Sequence, residues 1–223
     1  MAKKKKVSQE NELDQRIAAS VSFMEKYQKQ ILYVGGGVLA VVIAVLLFHQ
    51  FVWTPRNEAA REALFPAQEL FEQGSYEAAL NGNEQAVGLL EVASKYGRTK
   101  SGNLAHLYAG LCYANLGKTE EAITELEKFG DAGDQMISPA ALAALGNCYA
   151  QQGETEKAAK TLEKAAKRAD NNTLSPTFLI QAAQLYESLE KNDKALDCYK
   201  TVKAKYQQSV ESTNIDKYIE RLK

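Results

Sequence analysis

Three stretches of the sequence align without gaps and decide the fold: residues 113–126 (YANLGKTEEAITEL), 149–162 (YAQQGETEKAAKTL) and 186–199 (YESLEKNDKALDCY). Each begins with a tyrosine and has a small Ala nine positions later and a bulky apolar residue thirteen positions later. The tyrosines, Tyr113, Tyr149 and Tyr186, are 36 and 37 residues apart. A period of this length predicts stacked structural units, each of which buries its apolar face against a neighbour.

Each aligned stretch has the residues expected at the junction of two antiparallel helices. Gly117 and Gly153 occupy the fourth position after the tyrosine, where a glycine can end a helix in a left-handed conformation. Glu190 holds that position in the third stretch and departs from the pattern. Gly110 and Gly146, each three residues before its tyrosine, are expected where the two helices cross. We therefore predict an all-α domain of stacked helix pairs.

Further signals mark where helices begin and where the array ends. Ser138-Pro139 and Ser175-Pro176 each combine an N-cap hydroxyl with a proline suited to the first helical position, and they predict the starts of two first helices. At the C-terminal end, apolar residues at helical spacing predict a helix that caps the array: Ile215, Tyr218, Ile219 and Leu222.

A fainter first unit precedes the aligned stretches. Gly74 and Ala79 follow an apolar helical pattern that contains Leu64, Leu70 and Phe71. The sequence Asn-Gly-Asn at residues 81–83 then interrupts the second helix, which resumes between residues 88 and 96. We expect a first helix pair whose second helix is broken.

An apolar segment lies upstream of the repeats. No charged residue occurs between Lys29 and Arg56, and the run from residue 31 to residue 53 is long enough for a helix of about 34 Å, slightly more than the hydrocarbon core of a bilayer. A buried helix of a soluble protein is the alternative. Three consecutive glycines and a Val/Leu/Ile run without any ionisable group favour a membrane span at residues 31–53.

The orientation of this span follows from the basic residues that flank it. Seven Lys or Arg precede the span, and only Arg56 and Arg61 lie within the next twenty residues, so the N terminus is expected in the cytoplasm. A cleaved signal peptide is the competing interpretation, but residues 48–53 (FHQFVW) lack the small-residue cleavage pattern. We predict a cytoplasmic segment at residues 1–30, a retained anchor at 31–53 and a translocated repeat domain at 54–223.

The N-terminal segment is itself patterned. Apolar residues at helical spacing predict an interfacial helix: Leu13, Ile17, Val21, Met24, Tyr27 and Ile31. The four lysines of residues 3–6 could be a nucleic-acid tail, but beside a span they are more simply explained as a topology signal that contacts anionic lipid headgroups.

Composition and residue types argue against catalysis and nucleic-acid binding. The chain has 27 Lys and Arg against 28 Asp and Glu, so it has no overall basic field to hold phosphates. With three Cys and two His it has no spacing typical of a metal site, and no cofactor motif occurs. His49 and His106 have no partner evident in the sequence, and the cysteines are expected to be small buried apolar residues. We expect no enzymatic activity, no cofactor and no metal.

The aligned stretches resemble tetratricopeptide repeats, which share their small residue, tyrosine and alanine positions. The order of parts, a basic N-terminal stretch, one span and a few irregular helical repeats, resembles the YfgM-type family of ancillary subunits of the bacterial Sec translocon. Residues 88–105 (GLLEVASKYGRTKSGNLA) look like the first helix pair of that family and its junction to the next repeat. The resemblance implies a bacterial inner-membrane protein with a periplasmic repeat domain. Its implied partners are Sec translocon subunits and a periplasmic prolyl isomerase or chaperone.

The tetratricopeptide resemblance also implies that fixed positions of each first helix line a concave, protein-binding face. The positions that we select as partner contacts are Leu104, Leu107, Leu111, Asn115, Asn147, Gln151, Ile180 and Gln184. The remaining positions of the face are Ala114, Ala140, Ala143, Ala150, Thr177, Glu187 and Ser188. None of these residues is Lys or Arg, so the face lacks the basic side chains with which some repeat domains clamp a terminal carboxylate.

Two hypotheses about the use of this face follow. Its amides can pair with the backbone of an extended polypeptide of any sequence, while Leu107 and Leu111 hold apolar side chains. Alternatively, another helix of the same chain fills the groove. At the level of function, the protein is a translocon-linked adaptor that meets emerging chains, or it is a structural envelope scaffold that docks folded partners in division or outer-membrane assembly.

Overall fold

The computed structural model describes residues 26–30 and 32–222. The predicted basic and amphipathic segment lies largely at residues 1–25, outside the described residues, as does Ile31 at the start of the predicted span. The chain divides into two compact units, the first ending at Pro55 and the second beginning at Arg56.

The first unit contains an apolar helix. Residues 26–30 and 32–48 are α-helical, and a π-helical segment follows at His49–Trp53. The backbone N–H of Thr54 donates to the carbonyl of His49, and the Thr54 hydroxyl donates to the same oxygen over 3.0 Å. The helix Lys26–Glu72 contains an 18-residue window whose mean hydropathy is 2.7. None of the residues in that window is buried. Among the described residues it is the one helix long and apolar enough to cross a membrane.

From residue 54 to residue 222 the chain is helical and forms no β-strand. Its α-helices, with one 3₁₀ helix at Glu211–Asn214, are α1 (Thr54–Glu72), α2 (Tyr76–Asn81), α3 (Leu89–Tyr96), α4 (Lys100–Asn115), α5 (Thr119–Lys128), α6 (Ile137–Gln151), α7 (Thr155–Ala169), α8 (Ser175–Ser188), α9 (Asn192–Lys205) and α10 (Ile215–Arg221). The pairs α4–α5, α6–α7 and α8–α9 stack in sequence order, and α2 and α3 pack against α4. The predicted all-α solenoid of helix pairs is confirmed.

The same turn closes the first helix of every pair. A backbone N–H donates over 2.9 Å to the carbonyl five residues earlier, and these acceptors are Leu70, Tyr113, Tyr149 and Tyr186. The residue before each donor is left-handed, with φ of 75° at Gly74, 72° at Gly117, 82° at Gly153 and 58° at Glu190. This is the Schellman pattern of helix termination. Leu70 therefore stands where the later pairs have a tyrosine, and the fainter first unit is confirmed.

The helix crossings depend on residues without a large side chain. A Cβ at Gly110 would lie 2.6 Å from Leu126 Cγ, and one at Gly146 would lie 3.1 Å from Leu162 Cγ. Ala183 occupies the equivalent place in the last pair and is fully buried. The prediction that two helices cross at these glycines is correct, because contact between the helices leaves little or no room for a methyl group.

A seven-residue connection, residues 82–88, separates α2 from α3 and interrupts the second helix of the first pair. Gly82 and Val87 form an antiparallel bridge. The side chain of Asn83 accepts hydrogen bonds from the backbone N–H groups of Gln85 and Ala86, both over 2.8 Å. The connection therefore has a defined turn of its own, stabilised by an Asx-type side chain.

The predicted N-caps of α6 and α8 are wrong. Asp134, not Ser138, accepts the backbone N–H groups at the start of α6, those of Met136, Ile137 and Ser138. Asn171 has a similar part in the turn just before α8, where it accepts from the N–H groups of Thr173 and Leu174 over 3.0 and 2.8 Å. Both serines lie just inside their helices.

The two serine hydroxyls instead tie each helix to the segment before it. Ser138 Oγ donates to Asp134 Oδ2 over 2.8 Å and accepts from the N–H of Ala132 over 2.9 Å. Ser175 Oγ donates to the carbonyl of Ala166 over 2.8 Å in a fully buried position. A buried hydroxyl needs such partners, because burying a polar group without a hydrogen bond is costly.

Hydrogen bonds between tyrosine and glutamate link successive pairs. Tyr149 donates to Glu127 Oε1 over 2.5 Å, and Tyr186 donates to Glu163 Oε2 over 2.6 Å. Each acceptor lies on the second helix of the preceding pair, so the ring fills the core while the hydroxyl reaches a carboxylate.

The C-terminal helix α10 closes the apolar core of the last pair. Ile215 and Ile219 are buried against α8 and α9, and Tyr218 stacks on Tyr199 with ring centroids 5.2 Å apart. This packing fits the capping helix that the sequence pattern predicts.

Candidate protein-binding surface

The side chains selected from the sequence for partner contact fall at equivalent positions of α4, α6 and α8. Two residues before the repeat tyrosine lie Leu111, Asn147 and Gln184, and two residues after it lie Asn115, Gln151 and Ser188. We call these six residues the amide face. All of them except Leu111 are exposed. The side chains of three successive helix pairs are therefore accessible along one series of repeat positions.

The amides of this face differ in how many hydrogen-bonding groups remain free. Asn115 Nδ2 donates to the carbonyl of Leu111 over 2.8 Å, and Gln151 Oε1 accepts from the hydroxyl of Thr119 over 3.3 Å. Among the described residues, the side-chain amides of Asn147 and Gln184 have no hydrogen-bond partner. Since a primary amide offers two donors and an acceptor, these two residues have the most unused capacity.

The apolar residues selected with these amides lie deeper in the fold. Leu107 is only 7% exposed and packs with Ile123, Leu126 and Ala141 in the core between two pairs. Leu104, Leu111 and Ile180 are partly buried against the same core or the C-terminal one. Leu107 therefore makes its apolar contacts within the chain. The apolar surface that a partner could reach comes from Leu104, Leu111 and Ile180.

The C-terminal segment uses two of the remaining positions of the last pair. Thr177 donates its hydroxyl to Glu211 Oε1 over 2.7 Å. Glu187 accepts from Tyr199 over 2.6 Å and from Arg221, whose nitrogen lies 2.6 Å from the nearer oxygen. The only carboxylate among the sequence-selected positions is therefore neutralised by a cation of α10, and the amide face is left uncharged.

His106 has a carboxylate partner that sequence analysis missed. Its Nδ1 lies 2.7 Å from Glu125 Oε2, and Lys128 Nζ lies 2.7 Å from the other oxygen of that carboxylate. Burial alone would raise the pKa of Glu125, but the hydrogen bonds from Lys128 and His106 outweigh it and the pKa is lowered. The pair joins α4 to α5 across 19 residues of sequence, so no local motif marks it.

The three cysteines are free and buried, as predicted. Burial raises the pKa of Cys112 and of Cys198 to about 12, and the nearby Glu163 contributes at Cys198. Their thiols are protonated at neutral pH and lack the thiolate character of a nucleophile. Within residues 26–30 and 32–222, no group of three His, Cys, Asp or Glu side chains could hold a metal ion.

Comparisons with known proteins match the repeat units. Residues 67–136 match one tetratricopeptide repeat family model, and residues 139–172 match a second. No curated protein matches the chain. The helix pairs within these two ranges therefore match tetratricopeptide repeats, and such repeats indicate a protein–protein interaction module.

Proposed function

We propose that this protein is a membrane-anchored, non-enzymatic adaptor whose amide face binds extended segments of other polypeptides. The observation that carries the proposal is the uncharged row of exposed Asn147, Gln151 and Gln184 across neighbouring pairs. Amides at repeated positions can pair with the main chain of a partner whatever its side chains, which suits a surface that meets many sequences.

The anchor in this proposal is the segment from residue 31 to residue 53, with residues 1–30 in the cytoplasm and residues 54–223 in the periplasm. Its support is the apolar composition without a charged residue between Lys29 and Arg56, the exposure of residues 32–52 and the seven-to-two imbalance of flanking basic residues. The bacterial inner membrane is the corresponding location.

The proposed partners are subunits of the Sec translocon, a periplasmic prolyl isomerase or chaperone, and the polypeptides that emerge beside them. This part of the proposal rests on the resemblance of the order of parts to YfgM-type translocon subunits. It is consistent with an interaction module on a membrane anchor, since chains leaving a translocon are extended and varied in sequence.

Site-specific photocrosslinking in native membranes tests the proposal. A photoreactive amino acid replaces Gln151 on the amide face or, as a control, Gln208, which lies after α9 and is also exposed. We expect translocon subunits and newly exported chains to be captured from position 151 and not from position 208. Capture of folded envelope proteins alone at position 151 would favour a structural scaffold, and equal capture at both positions would remove the amide face from the mechanism.

A paired substitution tests the chemistry of the face. Asn147→Asp together with Gln184→Glu keeps side-chain size and introduces two carboxylates where the proposal needs neutral donors. We expect crosslinking from position 151 to fall at least fivefold while the helical circular dichroism is unchanged. The matched control, Gln207→Glu with Gln208→Glu, adds the same charge at two exposed residues after α9 and is expected to leave crosslinking intact.

A further inference from the structure

Three lysine ammonium groups converge on one carboxylate at the junction of the α6–α7 and α8–α9 pairs. Lys191 Nζ lies 2.6 Å from Glu156 Oε2, whereas Lys160 Nζ and Lys194 Nζ lie 3.1 and 3.6 Å from Glu156 Oε1. We call these four residues the lysine cluster. With Glu156 ionised, the cluster has two more positive charges than negative ones.

The cluster is assembled from elements of both pairs. Glu156 and Lys160 lie one turn apart on α7, Lys191 lies in the turn after α8, and Lys194 lies in the first turn of α9. Hydrogen bonds from Lys191 and then Lys160 lower the pKa of Glu156 to about 2, so the carboxylate stays charged and keeps the lysines together at neutral pH. Side-chain exposures between 38% and 56% leave the lysines within reach of a solute.

The acids around the cluster differ in whether a cation compensates their charge. Glu154 is paired with Lys157 at 3.2 Å, whereas Glu163 accepts the neutral hydroxyl of Tyr186 and keeps its negative charge. Asp193 is exposed next to Lys194 in sequence and forms no ion pair among the described residues. The wider charge distribution reinforces the cluster, because residues 54–154 carry 7 basic and 14 acidic side chains whereas residues 155–223 carry 13 basic and 10 acidic ones.

We propose that Lys160, Lys191 and Lys194 form a binding site for a doubly charged oxyanion, an inorganic phosphate or a phosphate monoester. Each ammonium has three donors, and Glu156 does not use them all. Lysine binds phosphate as a point charge, and the two excess charges of the cluster match those of a phosphate dianion. Because the lysines come from two helix pairs, a bound anion would also hold those pairs together.

Thermal unfolding of the full chain in neutral detergent tests the site. Phosphate is added as its sodium salt, with sodium chloride at matched ionic strength as the reference, and unfolding is followed by circular dichroism. A ligand that binds only the folded state raises Tm as its concentration increases. We expect phosphate to raise Tm and chloride to leave it unchanged. The same Tm in both salts would overturn the proposal.

Three double variants distinguish specific phosphate binding at the lysine cluster from nonspecific attraction to a basic surface. Lys191→Gln with Lys194→Gln is expected to weaken the phosphate response at least fivefold. The matched control, Lys164→Gln with Lys167→Gln, removes two exposed lysines of α7 outside the cluster and should change the response less than twofold. Lys191→Arg with Lys194→Arg keeps the charge and should preserve binding. If the first two variants lost the phosphate response to the same extent, phosphate would be attracted by the overall positive charge of the surface. That result would contradict the proposal.

A competition experiment distinguishes a lipid headgroup from a soluble phosphate as the ligand. Micelles containing phosphatidate, with phosphatidylcholine micelles as the control, are compared for their effect on the phosphate response. If phosphatidate abolishes the response of the wild-type chain, the site takes a lipid headgroup, and if it has no effect, the site takes a soluble phosphate. Either result requires the lysine dependence described above, so the site is rejected if phosphatidate micelles raise the Tm of the Lys191→Gln, Lys194→Gln variant as much as that of the wild-type chain.

Discussion

Gly110 and Gly146 occupy the same repeat position but have different amounts of space around them. An added methyl group would lie 2.6 Å from Leu126 Cγ at the first site and 3.1 Å from Leu162 Cγ at the second. Replacing a helical glycine by alanine gains up to about 1 kcal/mol of helix propensity, whereas overpacking costs about 1–3 kcal/mol. We expect Gly110→Ala to be destabilising by about 1–2 kcal/mol and Gly146→Ala to be close to neutral. Urea unfolding of the two variants in detergent checks the difference, and equal effects would contradict it.

Glu190 is held in a left-handed conformation with φ of 58°, where the preceding pairs have glycine. A residue with a Cβ is disfavoured there by roughly 1–2 kcal/mol, and glycine loses part of this advantage through its greater freedom in the unfolded chain. We expect Glu190→Gly to be stabilising by about 0.5–1 kcal/mol, measured as an increase in the urea midpoint without a change in m-value. Gly153→Ala, the reverse change in the neighbouring turn, should destabilise. A destabilised Glu190→Gly variant would contradict this expectation and would show that the Glu190 side chain itself stabilises the fold.

At the level of elements, the start of α6 is coupled to a titrating group. Asp134 caps this helix, and although burial raises its pKa, hydrogen bonds from Ser138 and from the N–H groups at the helix start lower it to about 2. Because the folded pKa lies below the ordinary value of 3.8, the capping contribution is complete above about pH 4 and is lost as the pH falls towards 2. We expect Asp134→Ala to cost about 1 kcal/mol at pH 7 and progressively less below pH 4.

The cap of α8 provides the control for this measurement. Asn171 accepts two backbone N–H groups of the turn just before α8 and does not titrate. Asn171→Ala should therefore cost a similar amount at every pH at which the chain is folded. Urea unfolding at pH 7, 4 and 3 distinguishes the two variants, and parallel pH profiles would rule out titration of Asp134 as the cause.

The elements also show which features a sequence reveals. The positions around Tyr113, Tyr149 and Tyr186 predicted the helix pairs and their crossings, because turn and packing constraints recur at fixed local spacing. The caps were misassigned since Asp134 and Ser138 are both good capping residues, and the geometry of the connecting loop decides between them. Local spacing cannot identify contacts made after folding, such as the Tyr149–Glu127 hydrogen bond.

The same distinction applies to the candidate surface. The repeat register located exposed Asn147 and Gln184, but it could not foresee that Leu107 is buried, because its burial depends on Ile123 and Ala141 of other helices. Nor did it point to the lysine cluster, whose members are separated by up to 38 positions and come together only when two pairs stack.

At the scale of the whole molecule, the topology of the anchor is testable. The imbalance of seven basic residues before the span and two after it predicts that the N terminus stays in the cytoplasm. A periplasm-dependent reporter enzyme fused after residue 223 is expected to be active, and protease added to spheroplasts should digest the repeat domain.

Replacing the lysines at positions 3–6 by glutamine reduces the imbalance to three against two, so a fraction of the chains should insert in the reverse orientation. Full protection of the repeats in the unaltered chain would place them in the cytoplasm and would eliminate the proposed contact with exported polypeptides.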